Sequence, residues 1–353
     1  PMGDHRPVSE RTEALLAQMP VEEKATLMTG RGPWDVRPIE RLGIPSLKVT
    51  DGPAGARGAG LLGTGIPALC IPCGSALGAT WNPTLIEHLG GVLAAETRAR
   101  SCHMLLAPTV NIHRTPHGGR NFECYSEDPH LTSRLAVAYV RGVQAGGVAT
   151  TTKHFVANDS EFERNSIDSV VPERALREMY LAPFEAVVTE ANAWAIMSSY
   201  NRVDETFMSE NHRLLTGVLR DEWGFDGIVV SDWYGTRSTA PAALAGLDLE
   251  MPGPGHHYGD RLVEAVQAGD IDESVLDTAV RRLLLLLERT GAFDDPLDQP
   301  EQQLDEPDHR ALVRQAAAES MVLLTNNGVL PLDPSTLGSL AVSGPNAATA
   351  VIM

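Results

Sequence analysis

Gly227-Ile228-Val229-Val230-Ser231-Asp232-Trp233 decides how the fold is read. Three β-branched residues run together with no polar face. The run then ends abruptly in a hydroxyl, a carboxylate and an indole. A strand apolar on both faces belongs to a parallel sheet covered by helices. Similar runs occur at 47–50, 70–79, 103–110, 148–155, 193–200 and 247–251. All seven are expected to be strands. Amphipathic stretches separate them. In 174–191, Leu176, Met179, Tyr180, Phe184, Val187 and Val188 recur at helical spacing, and Pro183 is expected to bend that helix. In 211–223, Leu214, Leu215, Val218 and Leu219 form a stripe that Gly224 closes. The five leucines within 281–288 predict a buried helix. Strand–helix alternation gives an α/β fold.

The ends of the runs separate two parallel architectures. Thr50-Asp51, Asn111-Ile112-His113, Lys153-His154, Ser199-Tyr200-Asn201, Ser231-Asp232 and Glu250 are all polar. Functional groups at many C-terminal strand ends converge on one face of a barrel. A doubly wound sheet gathers them at one switch point, usually beside a glycine-rich turn. No GxGxxG follows a strand and there is no Walker A motif. A (β/α)8-like TIM barrel is therefore expected, with seven or irregular strands, and no cofactor. It should occupy residues 1–295 as the catalytic domain. Residues 296–320 read as a linker and helix: 293–309 is acidic and Pro-containing, and 310–320 is helix-like. Residues 321–353 resemble the start of an α/β sandwich domain, incomplete at Met353. Its apolar runs are 321–325 and 340–342, the first followed by the turn Asn326-Asn327-Gly328.

Composition narrows the function. The 353 residues are 43% hydrophobic and 21% charged, enough for a large core. Lys and Arg total 28 against 46 Asp and Glu, a net charge of −18. Nucleic acid, which is bound through clustered cations, is excluded as a partner, and so is an anionic membrane surface. No run approaches the ~18 apolar residues of a membrane span. The apolar patch at 14–17 is too short for a signal peptide. A cytoplasmic location is expected, with secretion after removal of a signal as the alternative. A homo-oligomer stays open. The four cysteines, at 70, 73, 102 and 124, suit a reducing compartment. Cys70 and Cys73 have redox or half-zinc spacing but no second CxxC, so they read as structural thiols. Metal binding is disfavoured: there is no HExxH, and the histidines are scattered apart from His256-His257.

The strand ends carry the candidate chemistry. Asp51, with Arg57 on the same Gly/Pro-rich loop, can accept bonds from adjacent hydroxyls; the plainer alternative is a helix cap. The loop from His117 to Pro129 holds Arg120, for which the plainer reading is an anchor by Glu123 and Asp128. Lys153 and His154 end an apolar strand, where cations are costly to bury unpaired. Asp232 at a buried strand tip, beside Trp233, suits an ionised catalytic carboxylate. Carboxylates, amides, cations and a stacking aromatic together suit sugar recognition.

These residues bring the chain to a known family. It resembles glycoside hydrolase family 3, in its β-glucosidase branch, over nearly its whole length. The resemblance rests on Thr50-Asp51-Gly52-Pro53 through Arg57, Gly119-Arg120-Asn121-Phe122-Glu123 with Ser126-Glu127-Asp128-Pro129, Lys153-His154-Phe155, Met197 with Ser199-Tyr200-Asn201, and Gly224-Phe225-Asp226-Gly227 leading to Ser231-Asp232-Trp233. It implies that Asp232 is the nucleophile of a retaining, exo-acting β-glycosidase. It implies that Asp51, Arg120, Lys153 and His154 hold the sugar hydroxyls, and that Arg57, Met197, Tyr200 and Trp233 line the pocket. The implied substrate is a β-glucoside or short oligosaccharide, with terminal glucose released. A β-xylosidase or α-arabinofuranosidase of the same family is the alternative, as is a catalytically incomplete sugar-binding fragment. Retention needs a second carboxyl ~5–5.5 Å from the first. In the family's N-acetylglucosaminidases a Pro-Gly-His-Gly loop supplies a His instead; here Val156-Ala157-Asn158-Asp159 follows the Lys-His strand. In two-domain β-glucosidases the acid/base is a Glu of the second domain, so the rest of that domain is expected to complete the site. Glu123 and Glu161 are the fallback acids within the chain.

Overall fold

A computed structural model describes residues 9–60 and 65–349. The outer ends of the two terminal spans expected above lie outside the described residues. Five strands form one wholly parallel sheet in chain order: β1 (Val49–Asp51), β2 (Met104–Leu106), β3 (Ala149–Phe155), β4 (Ala195–Ser198) and β5 (Ile228–Ser231). Neighbours in chain order, each linked through helices, wrap in one direction as a barrel does. Beyond β5 the ring continues through single backbone bridges. Ser231 N donates to Leu249 O at 2.9 Å, Glu250 N to Met28 O at 2.9 Å, and Gly30 N to Glu250 O at 3.0 Å. The chain then turns, and Val36 N donates to Leu47 O at 2.9 Å and Val49 N to Trp34 O at 2.8 Å. These bonds return the ring to β1. The expected α/β barrel is present, with an irregular closing segment.

Two strand expectations need correction. The 247–251 run joins β5 only through isolated bridges. The 70–79 run is not a strand: it is extended to Cys73 and then forms the helix Gly74–Thr80. A short apolar run does not by itself distinguish a buried helix from a strand. The glycines let this helix approach the 121–125 segment. A Cβ on Gly74 would stand 2.0 Å from Glu123 O. Gly74→Ala should therefore destabilise the fold by about 1–3 kcal/mol, read as a lower urea midpoint.

The helix expected at 174–191 is interrupted. A π-helical stretch, Leu176–Tyr180, precedes the helix Ala182–Thr189, with Pro183 in the first turn of the latter. The distortion thus lies upstream of the proline, where Leu181 N donates to Leu176 O at 2.8 Å. The 211–223 stripe is likewise π-helical over Arg213–Glu222, and Gly224 follows it at φ 73°. The leucine run lies in Glu273–Arg289, where Leu283, Leu284, Leu286 and Leu287 are buried. Helices Pro83–Ala99 and Pro129–Ala145 each start with a capping side chain and a proline, Asn82 and Asp128 being the caps.

After the helix Pro307–Glu319, residues 321–349 contain no helix or strand. The apolar runs 321–325 and 340–342 form no strand, and Leu324 is 90% exposed. A strand needs a neighbour to take its backbone hydrogen bonds, and these runs have none among the described residues.

Candidate active site

β1, β3 and β5 end on the same face of the barrel and deliver Asp51, Lys153, His154 and Asp232 there. Consecutive residues of a regular strand point to opposite sides. Lys153 and His154 nevertheless reach the same cluster, because the β3–β4 register shifts between Thr152 and Phe155. Such an irregularity re-aims side chains. Lys153 Nζ lies 3.0 Å from Asp51 Oδ1, and His154 Nε2 lies 3.5 Å from Asp232 Oδ2.

The imidazole is fixed from behind. Asn111 Nδ2 donates to His154 O at 3.0 Å, which orients its amide. Asn111 Oδ1 then accepts from His154 N at 2.9 Å and faces His154 Nδ1 at 3.2 Å. The proton therefore sits on Nδ1, leaving Nε2 to accept from Arg120 Nη1 at 3.1 Å. Burial pushes the His154 pKa well down, and Arg120, Lys153 and Arg164 push the same way. The ring is neutral at pH 7.

Arg120 is held by Glu123 through two bonds of 2.8 and 2.9 Å. Thr109 Oγ1 donates to the same carboxylate at 3.1 Å. The anchoring expected of Glu123 is present. Asp128 instead accepts from His130 N at 2.7 Å as a helix cap. Burial raises the Glu123 pKa, but Arg120 and Lys153 outweigh it and hold the carboxyl below its ordinary value.

Asp232 is fixed at one oxygen and open at the other. Oδ1 accepts from Trp233 N at 2.7 Å. Oδ2 is buried without a hydrogen-bond partner among the described residues. Burial raises the Asp232 pKa, and Lys153, the Trp233 N–H, Tyr200 and Arg120 only partly offset it. Asp51 is opposite in sign: burial would raise it, but Lys153 and Arg57 prevail and lower it. The two carboxyls are thus driven apart.

The remaining expected residues are less uniform. Tyr200 Oη donates to Trp233 O at 2.8 Å, and Arg164 lies over its ring at 5.1 Å. Trp233 Nε1 donates to Pro33 O at 3.1 Å, and its ring packs on Trp34 at 5.5 Å. Arg57 is half exposed, 3.7 Å from Asp51. Met197 lies within β4, opposite Val230, and is fully buried. Asp51, Arg57, Arg120 and Glu123 also line an adjoining cavity of about 550 Å³. The sequence pattern places Asn111 in a strand-end cluster without giving it a role, and does not single out Trp34. Asn111 was visible as a strand-end amide; Trp34 precedes β1 and carried no pattern.

All four cysteines are free. Among the described residues no group of three or more His, Cys, Asp or Glu could hold a metal ion, and no helix is long and apolar enough to cross a membrane.

Comparison with known proteins bears on this arrangement. Residues 34–286 match the Glycosyl hydrolase family 3 N terminal domain. The chain is 55% identical, over 96% of its length, to a beta-glucosidase of Rhizobium radiobacter. It is 46% identical, over 95%, to the probable beta-glucosidase J of Aspergillus fumigatus. It spans only 41% and 39% of those two relatives. A crystal structure of beta-glucosidase from Kluyveromyces marxianus in complex with glucose superposes with a TM-score of 0.87 at 41% identity, covering 91% of this chain and 40% of that one. Beta-glucosidase 3B from Thermotoga neapolitana in complex with glucose gives 0.86 at 37% identity, covering 92% and 48%. By its matched domain and by these relatives, the chain belongs to glycosyl hydrolase family 3.

Proposed function

We propose that the chain forms the sugar-binding, nucleophile-bearing part of a retaining, exo-acting β-glucosidase. The observation that carries this is the Asp232 carboxylate: one oxygen is fixed, and the other is buried, unbonded and ringed by Lys153, His154 and Arg120. Asp232 Oδ2 attacks the anomeric carbon of a terminal β-glucoside, and the bond to the leaving oxygen breaks. Water then hydrolyses the glycosyl ester and restores the carboxylate. Asp51 accepts from sugar hydroxyls, while Lys153 and Arg120 donate to them. Neutral His154 keeps the site from gaining another positive charge. The names of the relatives favour glucose over xylose or arabinose.

Leaving-group protonation needs a carboxylic acid. Glu123 is a poor donor, because Arg120 holds it ionised. Glu161 is engaged by Arg164 at 2.7 Å. We therefore assign the acid to sequence outside this chain, in the second domain that residues 321–353 would begin. The relatives are more than twice as long as the part this chain matches.

An activated 2-fluoro-β-glucoside tests the reading. It should inactivate the protein and add one fluoroglucosyl mass to the peptide containing Asp232. A label on another residue would overturn the assignment. So would turnover of an aryl β-glucoside that leaves no trapped ester.

A further inference from the structure

We propose that residues 295–302 form a strap that positions the loop carrying Asp51 and Arg57, and that Glu301 is the positioning residue at its end. This rests on the β-glucosidase reading above, in which Asp51 and Arg57 meet the sugar. The loop is poorly suited to holding itself. It contains Gly52, Pro53, Gly55, Gly58 and Gly60, and forms no helix or strand between Asp51 and Gly60. Glycines leave a backbone many conformations, so the placement of the two side chains has to come from what the loop touches.

Its first half is held mainly from nearby. Gly55 N donates to Gly52 O at 3.1 Å, Arg57 N to Asp51 O at 3.0 Å and Ile71 N to Ala54 O at 2.8 Å. Tyr139 Oη adds a bond to Pro53 O at 3.3 Å. The second half is held by two side chains. Gly58 N donates at 2.8 Å to Oγ1 of buried Thr50, the residue before Asp51. Ala59 N donates to Glu301 Oε1 at 2.6 Å. Gly58 has φ 76°, and a Cβ there would collide with Glu301 Oε2. The carboxylate therefore lies against the Gly58–Ala59 backbone, with one oxygen bonded and the other packed.

Glu301 is itself fixed from both sides. Arg98 Nη2 pairs with Asp295 Oδ2 at 2.7 Å. Lys48, one residue before β1, donates from Nζ to Leu297 O at 2.7 Å and to Asp298 Oδ1 at 2.9 Å. Ser101 Oγ donates to Gln299 O at 2.6 Å, and Gln302 N to Ala99 O at 2.7 Å. Leu297 is buried. A slack linker makes no such series of bonds. The strap is thus seated on the barrel wall, and its carboxylate carries that position to the loop through a charge-assisted bond, stronger than a neutral acceptor would make. The strap then runs on to the helix Pro307–Glu319, beyond which the second domain assigned above would begin. One segment ties the sugar-holding loop to the part assigned the acid.

Calorimetric titration of glucose into the parent, Glu301→Ala and Glu301→Gln tests this, beside steady-state kinetics on an activated aryl β-glucoside. Loss of the Ala59 bond should weaken glucose about fivefold in Glu301→Ala. KM should rise by the same factor with kcat nearly unchanged, because the loop holds hydroxyls in the ground state and the transition state alike. Glu301→Gln keeps an oxygen that can accept from Ala59 N and should stay within about twofold of the parent. Hydrogen exchange at the Ala59 amide should quicken in Glu301→Ala, while exchange in β3 stays as in the parent. Unchanged glucose affinity in Glu301→Ala, a fall in kcat at constant KM, or a loss in Glu301→Gln equal to that in Glu301→Ala overturns the positioning role. If the parent binds no glucose, the β-glucosidase reading fails and the role falls with it. If the parent and Glu301→Ala bind glucose equally, the role of Glu301 alone is rejected.

Discussion

Asp232→Asn is expected to lower turnover of an activated aryl β-glucoside by about 10⁴-fold or more, the scale seen when a covalent nucleophile is removed. The amide is nearly isosteric and can still accept from Trp233 N, so the fold should persist. Stability at neutral pH should hold or increase. The sign follows from linkage. Burial raises the Asp232 pKa above its ordinary value, so the folded state disfavours the charged form. The protonated group's contribution is fully present below the unfolded pKa, and is lost as pH rises through the folded pKa. At pH 7 the native carboxylate is therefore a net liability that the neutral amide removes. A thermal scan at pH 7 with a rate assay on the same sample checks both halves. A marked fall in melting temperature would show that Asp232 holds Lys153 and Arg120 in place. Residual turnover near the parent rate would remove Asp232 from the chemistry.

The pairing of low activity with undiminished stability marks a residue placed for reaction, and it explains what the sequence could disclose. Strand-end carboxylates and cations are legible because an apolar run that stops in charge has few structural explanations. Asp51, Lys153, His154 and Asp232 were all found in this way. Their meeting was legible only as a family resemblance. The register shift that turns Lys153 and His154 to one side is a property of strand pairing, which sequence periodicity does not report. The roles of Asn111 and Glu123 are relational: one fixes a tautomer, the other holds a guanidinium. The second was open to sequence as a local pairing of Glu123 with Arg120, but the first is not visible until the chain folds. The 70–79 run failed for a different reason, since small and apolar residues fit a tightly packed helix as well as a strand. The closing 247–251 segment was expected as a strand of a barrel with seven or irregular strands, and it hydrogen-bonds through isolated bridges.

Asp248 shows what lies deepest below sequence reading, and its removal should give the largest loss of stability. It occupies the middle of the closing 247–251 run, between two buried leucines, and is 1% exposed. Its Oδ2 accepts from Arg220 Nη2 at 2.6 Å and from Val229 N at 2.7 Å; Oδ1 accepts from Arg282 Nη1 at 2.9 Å. One carboxylate thus ties the closing segment, β5, the π-helical segment Arg213–Glu222 and the helix Glu273–Arg289 together. Arg220 also donates to Gly227 O at 3.1 Å, and burial pushes its pKa down to about 10 even with Asp248 beside it. Asp248→Ala would strand that guanidinium in the interior. The expected cost is about 3–5 kcal/mol, or a melting temperature lower by roughly 10 °C. Val229 lies three residues before Asp232, so the loss of its N–H partner should also loosen the strand that carries the nucleophile. The double variant Asp248→Leu with Arg220→Met removes both charges and should regain much of the loss, because an apolar pair avoids the desolvation that the ions suffer. Urea unfolding of both variants is the measurement. A single-variant loss below about 1 kcal/mol would mean that water reaches Arg220 and that the barrel closes without this clamp.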